Sequence, residues 1–362
     1  MAQRIKGFDG LRAIAFLLVF VSHKFVMPVT DRFGSLAVWI FFVLSGFLIT
    51  RILAGQRSKV EMGQTSRNDA LLGFYRSRVF RILPPYYALL AVLAVLAACG
   101  LYDLNSAGRQ WANVLFYSNI YIERHGWQGD LGHLWSLAVE QQYYLLFAPL
   151  VLFLPRHALP GVCVAMLIVS VVGNISFIAA GRPLVTFDVN SIVNIGLFGL
   201  GGLAGLFVDR PLPRWLLNDV AMVAVFALIL SAPLVLANPG FLEISRPAVG
   251  ILVACLLVQI SQQQVSAVVK MLDLAPIRWI GVISYAAYLF HPVIHSNSIL
   301  AFFDLPVPAE HRWTVAIDFM LTIAFAAASW VFLEQPMIRF GQRLKMARPD
   351  SSRLPQKADA KG

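Results

Sequence analysis

The sequence predicts an all-α, polytopic transmembrane bundle of about ten helices with both termini cytoplasmic. Three observations carry this expectation. Of the 362 residues, 58% are hydrophobic and only 13% charged, about half the usual charged share and too little to cover a soluble globule. Ten segments are apolar over the length a bilayer core demands, about 20 residues for about 30 Å; they lie near 8–27, 34–54, 84–101, 132–154, 160–179, 191–208, 218–237, 246–262, 278–298 and 313–333. With the N-terminus inside, 21 of the 29 lysines and arginines fall on inside segments and seven outside, with Arg12 in the first helix completing the total. A three-to-one bias of this kind marks cytoplasmic loops.

The net charge of +10 is therefore a topology signal, and no nucleic-acid partner is needed to explain it. The same composition excludes a disordered chain, a collagen-like fibre and a disulfide scaffold. Residues 1–338 read as one transmembrane domain and 339–362 as a basic, disordered cytoplasmic tail. The first segment carries Arg12 and His23 and no small-x-small cleavage site, so it is expected to stay as a helix. Cys99, Cys163 and Cys255 sit in apolar runs and read as small core hydrophobes. Gly201 and Gly205, four residues apart, predict close helix packing.

Ionisable groups inside spans are costly and mark candidate sites. On the first helix Arg12 and His23 are eleven residues apart, close to three full turns, so they share a face about 16 Å apart along the axis. That stripe fits a lined channel; Arg12 pairing with Asp9 or snorkelling to headgroups is the alternative. In the fourth span His133, Ser136 and Glu140 share a face, with Glu140 about 10 Å deeper; an interfacial histidine and a satisfied glutamate are the alternative. In the ninth, Ser284, Tyr288 and His291 form one stripe ahead of Pro292; a structural network between helices would also explain them. The run Phe74–Pro85 alternates apolar residues with Arg76, Arg78 and Arg81. It reads either as a headgroup anchor or as an anion clamp, since guanidinium forks match phosphate oxygens. The three imidazoles His23, His133 and His291, with Glu140, converge on the outer half of the bundle. Histidine suits a general base near neutral pH. No two of the three have close ligand spacing, so no metal is expected.

Six motifs in order resemble the membrane acyltransferase-3 family of bacterial O-acyltransferases. They are Phe8–Ala15 with His23; Gly34 with Phe41–Ile49; Arg76-Ser77-Arg78 with Arg81 and Pro84; His133–Leu137 with Glu140, Tyr143 and Tyr144; Ser284-Tyr285 with Tyr288, His291 and Pro292; and Glu334-Gln335-Pro336. The resemblance spans about residues 5–340. It implies transfer of an acyl group, usually acetyl, from cytoplasmic acyl-CoA to a hydroxyl of a glycan or glycolipid at the outer side of the bacterial inner membrane. It implies that Arg12 and His23 are essential, that Arg76 and Arg78 act on the CoA side, and that Glu140 and His133 belong to the site. On this reading His23 is the base, Glu140 orients it or a partner imidazole, and Arg81 joins the CoA-side arginines. His133, Ser284, Tyr288 and His291 would hydrogen-bond the thioester or the sugar. Many members carry an additional esterase-like domain; this sequence is expected to work without one. A transporter or flippase for a polar envelope precursor is the alternative, although no inverted repeat is visible.

Overall fold

The computed structural model describes residues 4–346 apart from 26–27, 104–109, 128, 236–238, 307 and 309. Among the described residues the chain is helical throughout, with no strand. In chain order the helices are α1 (Phe8–Lys24), α2 (Pro28–Glu61), α3 (Arg67–Ala98), α4 (Gln110–Val114), α5 (Ser118–His125), α6 (Trp135–Phe153), α7 (Leu159–Ala179), α8 (Leu184–Val189) and α9 (Ser191–Phe207). They continue as α10 (Asp219–Val235), α11 (Pro239–Gln262), α12 (Ala267–Leu272), α13 (Ala275–Phe290), α14 (Ser296–Phe302), α15 (His311–Ser329) and α16 (Gln335–Met346). A 3-10 turn, Gly129–Leu134, leads into α6, and a π turn, Trp330–Glu334, joins α15 to α16.

Each expected span has a helix at its place. Five stretches, Thr30–Glu61, Arg67–Ala98, Arg156–Ala179, Ile244–Gln262 and His311–Leu344, are long and apolar enough to cross a membrane on length and composition. Two shorter apolar helices are α9 and α10. The five short helices α4, α5, α8, α12 and α14 fall in stretches that the sequence offers largely as connections. The segment read as preceding the third span is part of it. Ser66 caps α3 by accepting from the Asp69 amide at 3.0 Å, and the helix runs on through Pro84 and Pro85. Residues 339–346, expected at the start of the tail, belong to α16; the remainder of that tail, 347–362, lies outside the described residues.

Packing centres on α2, which lies along α9, α1 and α6, while α1 also lies along α13 and α9 along α7. Close approach explains the glycines here. A Cβ on Gly201 would collide with the Val43 carbonyl of α2, and one on Gly46 with the Phe198 carbonyl of α9. The sequence reading of Gly201 and Gly205 is met by this contact. Of the cysteines, Cys163 is buried, Cys255 half-buried and Cys99 exposed. Cys99 is thus not a core residue, because it follows the end of α3 rather than lying within its packed length.

Side-chain pairs sort the loops into two ends. At one, Arg4 pairs with Asp9 and Asp273, the Gln264 side chain accepts from the Lys6 amide, Arg57 and Arg156 share Glu61, and Arg76 reaches the Leu344 carbonyl. At the other, Lys24 pairs with Asp318, Arg182 with Glu123, and Arg32 donates to the Pro233 carbonyl. These pairs connect inside segments only with inside segments and outside only with outside, as the predicted alternation requires. The two ends are called below the arginine end and the histidine end.

Candidate functional site

Two cavities lie one above the other in the bundle. The arginine cavity, about 110 Å³, is lined by Arg12 of α1, Ser45 of α2, Arg78 and Arg81 of α3, and Glu140 and Tyr144 of α6, among others. The histidine cavity, about 560 Å³, is lined by His23, Asp31, Trp127, Asp130, His133 and Asp188, among others. Val38 and Tyr288 line both. They form the septum between a pocket rich in guanidinium and a pocket rich in imidazole and carboxylate.

The helical count along α1 is borne out in part. Arg12 lines the lower cavity and His23 the upper, so the stripe serves two chambers rather than one open channel. Arg12 also pairs with Asp9, at 3.3 Å, so both readings of that residue hold together.

His23 has a partner that no local spacing could reveal. Its Nδ1 lies 2.7 Å from His291 Nε2, and the rings are parallel to within 4° with centroids 4.9 Å apart. That separation is about one hydrogen bond plus two ring radii, so the rings meet edge to edge in one plane. His291 is fully buried, and its Nδ1 lies 2.7 Å from the Tyr288 carbonyl. A carbonyl only accepts, so His291 Nδ1 must donate to it. In the neutral ring His291 Nε2 is then an acceptor, and His23 Nδ1 donates to it. His23 Nε2 is thereby left with a free lone pair. That atom makes no hydrogen bond among the described residues, and His23 is exposed to the cavity it lines.

His133 is held differently. Nδ1 lies 3.0 Å from the Asp130 carbonyl and Nε2 3.2 Å from the Leu289 carbonyl. With both nitrogens against backbone oxygens, it ties the 3-10 turn to α13. The Tyr288 hydroxyl donates to the His133 carbonyl at 3.0 Å and lies 2.6 Å from Ser136 Oγ. The expected shared face of His133 and Glu140 is divided between the cavities, because His133 belongs to the 3-10 turn and only Glu140 to α6.

Among the described residues Glu140 meets no imidazole. Its Oε1 accepts from both Ser45 Oγ and the Tyr144 hydroxyl. The Arg78 guanidinium lies over the rings of Phe74 and Tyr144, at 5.6 and 5.8 Å, and its Nε is buried with no hydrogen-bond acceptor. Burying such a donor is costly unless something accepts from it. Arg78 and Arg81 reach the cavity, whereas Arg76, turned to the Leu344 carbonyl, does not line it. Ser284 and Tyr288 line the arginine cavity, as does Tyr285, whose hydroxyl donates to the Ile82 carbonyl at 2.8 Å.

Residues absent from the sequence-level site are Ser45, Tyr144 and Tyr285 below the septum, and Asp31, Trp127, Asp130, Asp188 and His295 above it. Ser45 and Tyr144 lay within motifs, but nothing in the spacing aimed them at Glu140. At the rim, His295 Nε2 is 3.5 Å from Asp130 Oδ1, and the Tyr102 hydroxyl donates to Asp130 Oδ2 at 3.2 Å. The hydrogen bond from His295 holds the Asp130 carboxylate below its ordinary range, against the opposing effect of burial.

Chemically, three guanidinium groups around a narrow pocket favour an anion or a polarised carbonyl oxygen. A free imidazole nitrogen on the far side of a thin septum suits proton abstraction from a hydroxyl. The sequence matches the family described as an acyltransferase domain over residues 5–334. It is 27% identical to the peptidoglycan O-acetyltransferase OatA of Listeria monocytogenes over 93% of this chain and 56% of that protein. It is 27% identical to O-acetyltransferase OatA of Staphylococcus aureus over 93% of this chain and 58% of that protein. It is 28% identical to the putative peptidoglycan O-acetyltransferase YrhL of Bacillus subtilis over 94% of this chain and 56% of that protein. The chain thus spans just over half the length of these relatives. No solved structure matches. With a single family model covering almost the whole bundle, both cavities included, the chain belongs to the membrane acyltransferase-3 family.

Proposed function

We propose that the chain is an integral-membrane O-acyltransferase that moves an acetyl group from cytoplasmic acetyl-CoA to a hydroxyl of a glycan or glycolipid at the outer side of the inner membrane. Ten crossings, with the arginine end and both termini cytoplasmic, go with this reading and rest on the bias of lysine and arginine. The relatives' names make acetyl the group to expect and a cell-wall glycan the first acceptor to test.

The observation that carries the proposal is the pair of cavities meeting at Val38 and Tyr288. The arginine cavity, at about 110 Å³, has room for the thin thioester end of the donor and not for its nucleotide, which docks at the cytoplasmic mouth. Arg78 and Arg81, which line that cavity, neutralise the donor and polarise the thioester carbonyl oxygen. His23 Nε2 takes the proton of the acceptor hydroxyl as its oxygen bonds to the carbonyl carbon. The carbon–sulfur bond then breaks, and His23 returns the proton to the departing thiolate. His291 holds His23 in the required tautomer. Glu140, fixed by Ser45 and Tyr144, balances the guanidinium charge below the septum and does not orient the base.

A transporter would also use two stacked cavities, but gives no role to a base with a free nitrogen. The test is mass analysis of cell-envelope glycans with and without the gene, together with CoA release in membranes. Acetyl esters that depend on the gene, with matching CoA release, support the proposal. Movement of an unmodified glycan without CoA release would replace it by the transporter reading.

A further inference from the structure

The face of α2 that looks into the arginine cavity changes character along its length. Val38, Phe41 and Ser45 lie at i, i+3 and i+7, the spacing of one helical face, and all three line that cavity. Ser45 donates to Glu140 at the charged end. Val38 stands in the septum, about 10 Å away along the helix axis. Phe41, Phe42 and Leu137 add further apolar lining. The pocket is thus polar where the donor's thioester and amide groups would sit, and apolar where its acyl group would end.

That apolar end is stiff. The Tyr288 hydroxyl donates to the His133 carbonyl at 3.0 Å and lies 2.6 Å from Ser136 Oγ, and its ring meets Phe41 edge-on at 6.2 Å. Phe42 stacks on Phe198 at 4.6 Å. Val38 is buried, and a β-branched side chain on a helix holds one strongly preferred rotamer. Its two methyl groups therefore make a fixed stop. An acyl chain longer than acetyl finds about 110 Å³ in all on the donor side. To gain more room it must push past Val38 into the histidine cavity, where the acceptor belongs.

We propose that Val38 is a specificity-determining residue that limits the donor's acyl group to two carbons. This rests on the acyl-transfer reading and names what fixes the acyl length. Discrimination by one methylene in a close-fitting apolar pocket amounts to about 10–200-fold in kcat/KM. The effect should therefore appear as a ratio between donors, and should move in opposite directions when the stop is cut back or enlarged.

The test uses membranes carrying the full chain, with their own envelope glycans as acceptor, given equal amounts of acetyl-CoA and propionyl-CoA. Propionyl adds one methylene. Ester masses on the glycans, less those from membranes without the gene, give the ratio of the two kcat/KM values within one preparation, whatever the amount of folded chain. The parent should favour acetyl by about tenfold or more. Val38→Ala, which clears both methyl groups, should bring the ratio to within about threefold. Val38→Ile, which adds a methyl group, should raise the ratio by about threefold or more, and it decides the matter if the alanine variant does not accumulate. Val43→Ala removes the same two groups from a buried position of α2 that lines neither cavity, and should leave the ratio at the parent's value. Equal use of both donors by the parent, a ratio indifferent to Val38, or an equal shift in Val43→Ala overturns the inference. In each of those cases gene-dependent esters leave the acyl-transfer reading standing. If the parent forms neither ester, that reading falls and the inference with it.

Discussion

His291 can be perturbed so that one hydrogen bond is removed or kept at nearly constant volume. Its Nε2 accepts from His23 Nδ1 at 2.7 Å, a full-strength separation. Gln reaches the Nε2 position with an oxygen that accepts; Asn, one methylene shorter, reaches only the Nδ1 position. His291→Gln should therefore keep the tautomer of His23, and His291→Asn should lose it. The loss is bracketed from two sides. One net hydrogen bond is worth about 1 kcal/mol, roughly fivefold, and complete removal of a general base costs about 10²–10⁴-fold. A base left in place without its orienting partner falls between, at about 10–100-fold in kcat. The assay is the initial rate of acetyl transfer in lipid nanodiscs, with thermal unfolding as a check, since both variants disturb a fully buried site. Asn and Gln variants equal in rate, at equal stability, would refute the argument that His291 sets the working tautomer of His23.

The arginines should separate by position. Arg78→Ala should raise KM for acetyl-CoA by about tenfold or more, because charge-assisted contacts are the strong ones. Arg76→Ala, which removes a contact to the Leu344 carbonyl outside the cavity, should change KM by less than about threefold; steady-state kinetics decide, and the reverse order would contradict the placement. Lys24 and Asp318 form a pair with side chains 9% and 5% exposed. Asp318→Ala should destabilise by about 3–5 kcal/mol because it leaves a buried charge unpaired, whereas the Lys24→Met/Asp318→Leu variant should regain most of that. Thermal unfolding in detergent measures both, and equal loss in the two variants would count against an electrostatic cause.

How far the sequence reaches depends on whether a feature is local. Span positions were legible because about 20 apolar residues are needed at each crossing, and the face shared by Arg12 and His23 follows from helical pitch alone. Pitch does not say which neighbouring helix a side chain meets. His23 and His291 are 268 residues apart, and only the packing of α1 along α13 brings them together. Spacing groups Glu140 with His133 on one span, and the motifs pair it with His23 or a partner imidazole, but the packing of α2 against α6 gives it Ser45 instead. The third span reads as beginning near residue 84, with the prolines at 84 and 85 at its start. In α3 the capped segment before them continues straight through. Trp127 and Asp188 are in short connections, where neither periodicity nor a motif singled them out, and folding carries both to the rim of one cavity.

The most direct measurement is acetyl transfer by His23→Ala in nanodiscs, with binding of acetyl-CoA followed in the same preparation. The account predicts a rate at least about 100-fold below the parent, with binding of acetyl-CoA unchanged because His23 lies beyond the septum from the arginine cavity. A rate within about threefold of the parent would contradict it, since His23 Nε2 is the nitrogen to which the account assigns the proton of the acceptor hydroxyl.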